Sequence, residues 1–453
     1  MNFDLAIIGG GPGGYTAADH AAKNGMSVVL FEADLLGGTC LNRGCIPTKA
    51  LLHSSEAFHS FHSTPGVKAE NVSYDFAAMH EYKANAVGTL RSGVEKLMKG
   101  DKVTVVNAFA HVTACSEQGV TVEAGGETYE AAHLIVASGS VPSVPPIEGS
   151  KLPGVYTSND LLENGGKDLK SLIIIGGGVI GCECASIYLN LGAQVVILEA
   201  LDHILPPMDR EIAQRLTMFF KKRGASVNAS CKVTAIEGEP GNMTVHYTDK
   251  AGKEQTCTGE GVLIATGRRA NVVGIFPEGQ GPESERGALV ADEAGKTSIP
   301  SIYVIGDAKA RNIQLAHVAE AQAKNAVAAI LGHELPVDMN VVPSCIYTSP
   351  EIASVGLTED ECKAKGIAVK AKKLPTGANA KCVIEQSESG YVKIVTDAAS
   401  GKLLGAQLVC PRATDLVSEF ALAISHGMTA EQIASVIHPH PTFSELVSQV
   451  CEI

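Results

Sequence analysis

The sequence predicts an α/β protein with two nested Rossmann-like dinucleotide-binding domains and an α+β C-terminal domain. Three observations carry that expectation. One βαβ unit occurs twice in the same register, an apolar strand follows each copy, and the pattern changes beyond residue 336.

The first unit reads strand Phe3–Ile8, glycine turn GGGPGG (9–14), helix Tyr15–Lys23 and strand Ser27–Phe31, ending at Glu32. The second reads strand Leu172–Ile175, glycine turn GGGVIG (176–181), helix Cys182–Asn190 and strand Gln194–Leu198, ending at Glu199. A constant 167 residues separates Gly9 from Gly176 and Glu32 from Glu199. The strand-to-helix context gives these G-x-G-x-x-G runs their weight. Gly9 and Gly176 permit the tight turn, Gly11 and Gly178 let backbone approach a pyrophosphate, and Gly14 and Gly181 allow close helix–strand packing. The pyrophosphate then rests on unpaired N–H groups at the helix N-terminus. Glu32 and Glu199 lie 18 residues past the third glycine, where a carboxylate accepts hydrogen bonds from ribose hydroxyls. A carboxylate at Glu199 repels a 2′-phosphate, and ALDHILPP (200–207) offers no Arg to hold one. One site is therefore expected to take NAD, and the other a second dinucleotide, most naturally FAD. Two purely structural turns are the plainer alternative, disfavoured because every context is met twice.

LIVASGS (134–140) and VLIATGR (262–268) are apolar strands ending in small-residue turns. SIYVIGDA (301–308) is a further strand, before a helix over 315–331. Strands Ser344–Tyr347, Tyr391–Thr396 and Leu403–Leu408 follow, with helices Thr358–Lys365, Thr414–His426 and Ala430–Ser435. Linker-like SVPSVPPIEG (140–149) and HELPVD (333–338) suggest four regions. These are a first nucleotide domain (1–144), an inserted second one (145–262), a return segment (263–335) and the C-terminal domain (336–453).

The 453 residues are 45% hydrophobic and 19% charged, which excludes a disordered chain. A net charge of −13 without a Lys/Arg cluster argues against nucleic acid or anionic membrane as partner. No apolar run approaches the ~18 residues of a membrane span, and the N-terminus lacks a basic signal-peptide region. Most of the twelve cysteines (Cys182, Cys184, Cys231 and Cys410 among them) lie singly in apolar segments. They read as small buried thiols in a reducing cytoplasm.

Cys40 and Cys45 differ, lying in GGTCLNRGCIPTK (37–49). One C-x4-C pair supplies only two metal ligands, so no metal site is expected and a redox pair fits better. Residues five apart on a regular helix rise about 7.5 Å, so a bridge between them requires irregular backbone across Leu41–Gly44. Pro47 suits a first helical position, placing Cys45 just before a helix N-terminus that favours a thiolate. At the far end, HPHPTFSE (438–445) holds each His extended before a Pro, and Thr442 with Glu445 matches a capping box. His53, His59 and His62 suggest a ligand set only superficially, since 53 and 59 are six apart on a helix and do not share a face, and the three read as solvated side chains.

These strings together closely resemble the flavin-dependent pyridine nucleotide-disulfide oxidoreductases, and the resemblance runs over essentially the whole chain. It implies FAD in the first site and NAD in the second. It makes Cys40 the interchange thiol and Cys45 the flavin-side thiol, joined as a redox-active disulfide. Lys49 matches the lysine beside the flavin N5 and Glu183 its ion-pair partner, although a helix first turn also favours an acid. Asp307 matches the ribityl-binding aspartate, Leu315, Ala316 and His317 the turn at the isoalloxazine, and Ala110 an adenine contact. Gly38, Thr39, Ser138 (where Thr is usual) and Gly139 complete the flavin side. Val179, Val233 and Gly267 fall where the family contacts NAD. NADP-dependent glutathione reductases usually place Tyr where Val179 stands, so the lipoamide-oxidising members are the better match. Ser349 replaces a usual His. His440 is implied as acid/base with Glu445 orienting its ring, and His438 as a neighbour.

The implied activity is oxidation of dihydrolipoamide, through the disulfide and FAD, to reduce NAD+. The lipoyl group is expected on a separate carrier protein of a 2-oxo acid dehydrogenase or glycine cleavage system. Residues 336–453 are implied as the dimerisation domain of a homodimer, with His440 of one subunit serving the cysteines of the other. The rivals are an NAD(P)H-dependent disulfide reductase of glutathione-reductase type, a flavin NADH oxidase, and a flavin-holding subunit without catalysis.

Overall fold

Strand Asn2–Ile8 buries Leu5 through Ile8 on both faces, as the centre of a parallel sheet requires. In the computed structural model, which describes residues 1–163, 166–387 and 389–453, it pairs in parallel with Val28–Phe31 and with Glu127–Val136. Helix α1 (Pro12–Lys23) joins the first two strands. It opens three residues before the expected Tyr15, because proline suits a first turn whose N–H groups lack partners anyway. Next come α2 (Gly38–Arg43), α3 (Cys45–Ser63) and α4 (Phe76–Gly100), the last capped by Asp75 accepting from the Ala78 N–H. Val28–Phe31 also pairs with Thr104–Val106, and an antiparallel meander of Ala110–Ser116, Gly119–Ala124 and Glu127–Val136 extends the sheet.

The chain leaves this sheet at Val136. Around α5 (Ser158–Leu162) it builds a parallel sheet in the order Ser226–Asn228, Gln194–Leu198, Ser171–Ile175, Gly261–Ile264, Val155–Tyr156, the last of these strands lying just before the helix. Helices α6 (Val179–Asn190) and α7 (Arg210–Lys222) flank it, and a three-stranded meander spans Lys232–Gly259. Strand Gly261–Ile264 straddles the expected cut at 262. Ile302–Val304 then pairs in parallel with Leu134–Val136, completing the first sheet and making the second an insertion within it. Helix α8 (Ala316–Ile330) follows.

The third sheet is antiparallel, ordered Ser344–Ile346, Ile352–Gly356, Leu403–Val409, Tyr391–Asp397, Val369–Pro375. It is accompanied by α9 (Glu359–Ala364), α10 (Ala380–Ile384), α11 (Ala413–Ser425), α12 (Ala430–Ala434) and α13 (Glu445–Glu452). Its Val392, Ile394, Ala406 and Leu408 pack with Val417 and Phe420 of α11 and Leu446 and Val450 of α13. The edge strand stops at Ile346, one residue short of expectation, which frees Tyr347 for another role.

Two junctions lock the layers. Along α3 and α6, the Asn190 amide donates to Ser55 Oγ (3.1 Å), and Arg223 donates to Asn190 Oδ1 (2.7 Å). Between α7 and the third sheet, buried Lys393 pairs with Asp209 at 2.6 Å. No helix among the described residues is long and apolar enough to cross a membrane.

Candidate active site

Both glycine turns lie at the C-terminal ends of parallel strands, where open α/β sheets bind ligands. Gly9 and Gly176 have φ of +106° and +109°, and a Cβ on either would come within 2.4 Å of the Ala137 or Ala265 carbonyl oxygen. A Cβ on Gly14 would lie 1.8 Å from the Gly9 oxygen, and one on Gly181 would lie 2.1 Å from the Gly176 oxygen. Gly178 is the opposite case, because its Cβ would meet nothing within 4 Å. Gly11 faces only the Gly38 Cα, at 3.7 Å. The middle glycine of each turn thus borders open space. Glu32 accepts from the Gly10 and Asp34 N–H groups (2.7 and 2.9 Å), and Glu199 from those of Gly177 and Leu201 (2.6 and 2.8 Å). Each turn therefore aims its own carboxylate. Beside the first turn, Ser138 Oγ is buried without a hydrogen-bond partner. A cradle, an oriented carboxylate and an orphan hydroxyl fit a dinucleotide in the first site, and the first two features recur in the second.

The cysteines lie where α2 gives way to α3. Leu41–Arg43 are helical, so the expected irregularity is confined to Gly44 (φ −140°, ψ −107°). Cys45 is the first residue of α3 rather than the one before it, and Pro47 is the third. Both cysteines are unbridged here, with a hydrogen bond between their sulfurs. That bond, aided by the Lys49 charge, holds the Cys45 thiol below its ordinary range. The same bond, with burial, pushes Cys40 well up. A thiolate is therefore favoured on Cys45 over Cys40.

One turn along α3, Lys49 Nζ donates to both carboxylate oxygens of Glu183 on α6, at 2.9 and 2.8 Å. The Glu183 side chain is only 5% exposed. Three residues outside the expected set (Tyr347, Arg268 and Ser140) complete this centre. The Tyr347 N–H donates to Glu183 Oε1 (3.0 Å), and the Lys49 ammonium sits 4.4 Å from the centre of the Tyr347 ring. Arg268 donates to Ser140 Oγ (2.7 Å), which donates to Asp307 Oδ2 (2.5 Å); its Nη2 is 3.5 Å from Thr39 Oγ1. Arg268 directly follows Gly267 in VLIATGR, a cue that was there to read.

The remaining expected residues divide between the two sites. Gly38 packs on Gly11 with φ +58°, Gly139 has φ +69°, and Ala110 is buried at the head of its strand. Leu315 caps α8, Ala316 begins it, and the His317 Nε2 is 2.8 Å from the Pro343 carbonyl oxygen. Val179 begins α6. Val233 lies just past Cys231, whose N–H bonds the Glu199 carbonyl (2.9 Å), and Gly267 has φ +106° and open surroundings.

His440 Nδ1 is 2.9 Å from Glu445 Oε1, and its side chain is 69% exposed. The Thr442 N–H (2.9 Å) and His440 hold the Glu445 carboxyl below the usual range. The expected capping box is only half made. Thr442 Oγ1 donates to the Pro439 carbonyl (2.7 Å) instead of receiving the Glu445 N–H, and Ser444 is the N-cap. His438 bonds Glu419 at 2.9 Å. Within one chain, no hydrogen bond or ion pair among the described residues joins His440 to either cysteine. His53 and His62 are exposed, with ring centroids 6.2 Å from Tyr82 and 5.1 Å from Phe58. No group of three or more His, Cys, Asp or Glu among the described residues is arranged to hold a metal.

Residues 3–323 match the pyridine nucleotide-disulphide oxidoreductase family, and residues 342–451 match that family's dimerisation domain. The dihydrolipoyl dehydrogenase of Bacillus subtilis strain 168 is 38% identical over 459 residues, covering 99% of this chain and 96% of its own. That of Geobacillus stearothermophilus is 38% identical with the same coverage. Among solved structures, LpdA of Mycobacterium tuberculosis is similar at TM-score 0.90 with 25% identity, over 99% of both chains. The HOCl-induced flavoprotein disulfide reductase RclA of Escherichia coli is similar at 0.88 with 27% identity, again over 99% of both chains.

Proposed function

The chain belongs to the pyridine nucleotide-disulphide oxidoreductases, and from that membership we propose that it oxidises protein-bound dihydrolipoamide and reduces NAD+. It uses FAD and NAD, and it dimerises through its C-terminal domain. The observation that carries the reading is the placement of Cys45 at the head of α3, one turn from a lysine tied across to α6.

Bound FAD would supply the two-electron relay that carries the reducing equivalents of the Cys40–Cys45 dithiol to NAD+ and so lets the disulfide re-form. The chain's own groups manage the sulfur and the protons. His440 of the partner subunit accepts a proton from one substrate thiol while Glu445 holds its ring. The resulting thiolate attacks the Cys40 sulfur, the S–S bond breaks, and Cys45 leaves as a thiolate favoured by Lys49 and the helix N-terminus. The second substrate thiol gives its proton to Cys40 as it attacks the mixed disulfide, closing the lipoyl ring. Two protons have left the substrate, one now on His440 and one on Cys40. Asp307, braced by Ser140 and Arg268, would hold the ribityl chain, with Gly38, Thr39, Ser138 and Gly139 around it. Residues 1–144 with 265–335 form the flavin unit. The inserted NAD unit runs from 145 through the strand ending at Ile264.

The dithiol arrives on a lipoylated carrier of a 2-oxo acid dehydrogenase or glycine cleavage system. The ten cysteines outside the redox pair, none of them bridged, suit the reducing cytoplasm where we place the enzyme. Glu199, held against the pyrophosphate turn, disfavours an NADPH-driven reductase. The test is an anaerobic assay of the flavin-loaded dimer. Dihydrolipoamide with NAD+ should yield NADH, with far slower NADPH oxidation by glutathione disulfide; the reverse order of rates would overturn the reading.

A further inference from the structure

We propose that Tyr347 is the positioning residue of the Lys49–Glu183 pair, a ring carried from the dimerisation domain that fixes the ammonium and thereby tunes Cys45 as a leaving thiolate. This rests on the roles of Lys49 and Cys45 set out above.

Tyr347 makes two separate contacts with one ion pair. Its N–H donates to Glu183 Oε1, the oxygen that also receives Lys49 at 2.9 Å, and its ring lies 4.4 Å from the same ammonium. The pair is asymmetric. Glu183 is 5% exposed and fixed by its surroundings, whereas the Lys49 side chain is 30% exposed and is held in place by attraction to the ring's face. Tyr347 is itself anchored. Four residues on, Glu351 accepts from the N–H and the hydroxyl of Thr414 (3.0 and 2.7 Å), tying the segment to α11 of the third sheet.

The groups bearing on Cys45 are Cys40 from α2, Lys49 from its own helix, Glu183 from α6, Tyr15 from α1 and Arg268 beyond the second sheet. Lys49 favours the Cys45 thiolate and Glu183 opposes it. The position of one charge relative to the other sets the net field at the sulfur. Removing the ring frees the ammonium to move and admits water that screens it, so the thiolate loses support.

The measurement is the pH midpoint of the thiolate-to-flavin charge-transfer band in the two-electron-reduced, flavin-loaded dimer. Tyr347→Phe, which keeps the ring, should leave the midpoint where it is. Tyr347→Leu should raise it by about half a pH unit, roughly a threefold loss of thiolate near the midpoint. Because the leucine variant could shed its flavin, a series of increasingly fluorinated phenylalanines at 347 tests the same point at nearly constant shape; the midpoint should climb with fluorination. An unmoved midpoint in the leucine variant, or a flat fluorinated series, overturns the proposal. Lys49→Met tells the two levels apart. If it raises the midpoint while the position 347 variants do not, the tyrosine proposal alone falls. If it leaves the band untouched, the assignment of Lys49 beside the flavin falls as well.

Discussion

Gly178 and Gly181 stand three positions apart in one turn, yet an added methyl group meets open space at the first and a carbonyl oxygen 2.1 Å away at the second. Gly178→Ala should therefore melt like the parent protein while its KM for NAD+ rises at least ~10-fold, since only the pyrophosphate competes for that space. Gly181→Ala should lower the melting temperature, with an overpacking cost of about 1–3 kcal/mol. Thermal melts beside steady-state kinetics separate the two, and equal kinetics for Gly178→Ala would mean that the coenzyme lies elsewhere. The thiols also divide. Cys40→Ser should keep a charge-transfer band in the reduced enzyme and Cys45→Ser should lose it, because Lys49 and the helix N-terminus favour the thiolate at Cys45. At Glu199, repulsion of a 2′-phosphate should favour NAD over NADP by at least ~100-fold in kcat/KM, and Glu199→Arg should narrow that gap.

Helix α4 buries His80 and Lys83 against the end of α5, where Lys83 donates to the Leu162 and Glu163 carbonyls at 2.6 and 3.2 Å. Burial, and then the neighbouring Lys83 charge, press His80 down to about 4. In the unfolded chain the ring takes its proton near 6.5, so between those values the unfolded state binds more protons. Stability is therefore highest above about pH 6.5, falls as the pH drops toward about 4, and loses at most ~3 kcal/mol to this group. Urea midpoints for His80→Leu should lack that part of the acid slope. None of this was legible in the sequence. The βαβ units were, because strand, glycine spacing and helix occupy fewer than forty consecutive residues and each residue type answers a local constraint. Helix α2 escaped notice because six residues beginning with glycine carry no periodicity. Tyr347 and Arg268 escaped because their partners lie 164 and 128 residues away in sequence, where no local pattern reaches. The His440–Glu445 pair was readable from six consecutive positions, although the hydroxyl of Thr442 turned to Pro439 rather than to the helix.

The three sheets work as one molecule through charged junctions. Lys393→Met leaves the half-buried Asp209 carboxylate without its cation, with the Glu211 N–H still donating to it, at a cost of about 1–3 kcal/mol. A lower melting temperature should result, and adding Asp209→Leu should recover much of it. Catalysis should also reach across chains. His440→Gln should lose ~10²–10⁴ of dihydrolipoamide turnover yet keep its flavin and NADH-driven dye reduction. Mixing it with inactive Cys45→Ser should restore activity, up to half of the parent's per heterodimer. No recovery despite demonstrated subunit exchange would put both groups on one chain. The nested sheets also fix an order of assembly at the ribosome. The inserted sheet is whole once Ile264 has emerged, whereas the first still waits for Ile302–Val304. The segment synthesised second can therefore close first, while the unit begun at the N-terminus stands open at one edge. A nascent chain halted with residue 290 just clear of the exit tunnel should resist protease across 171–264 and remain vulnerable in the strands on either side of it.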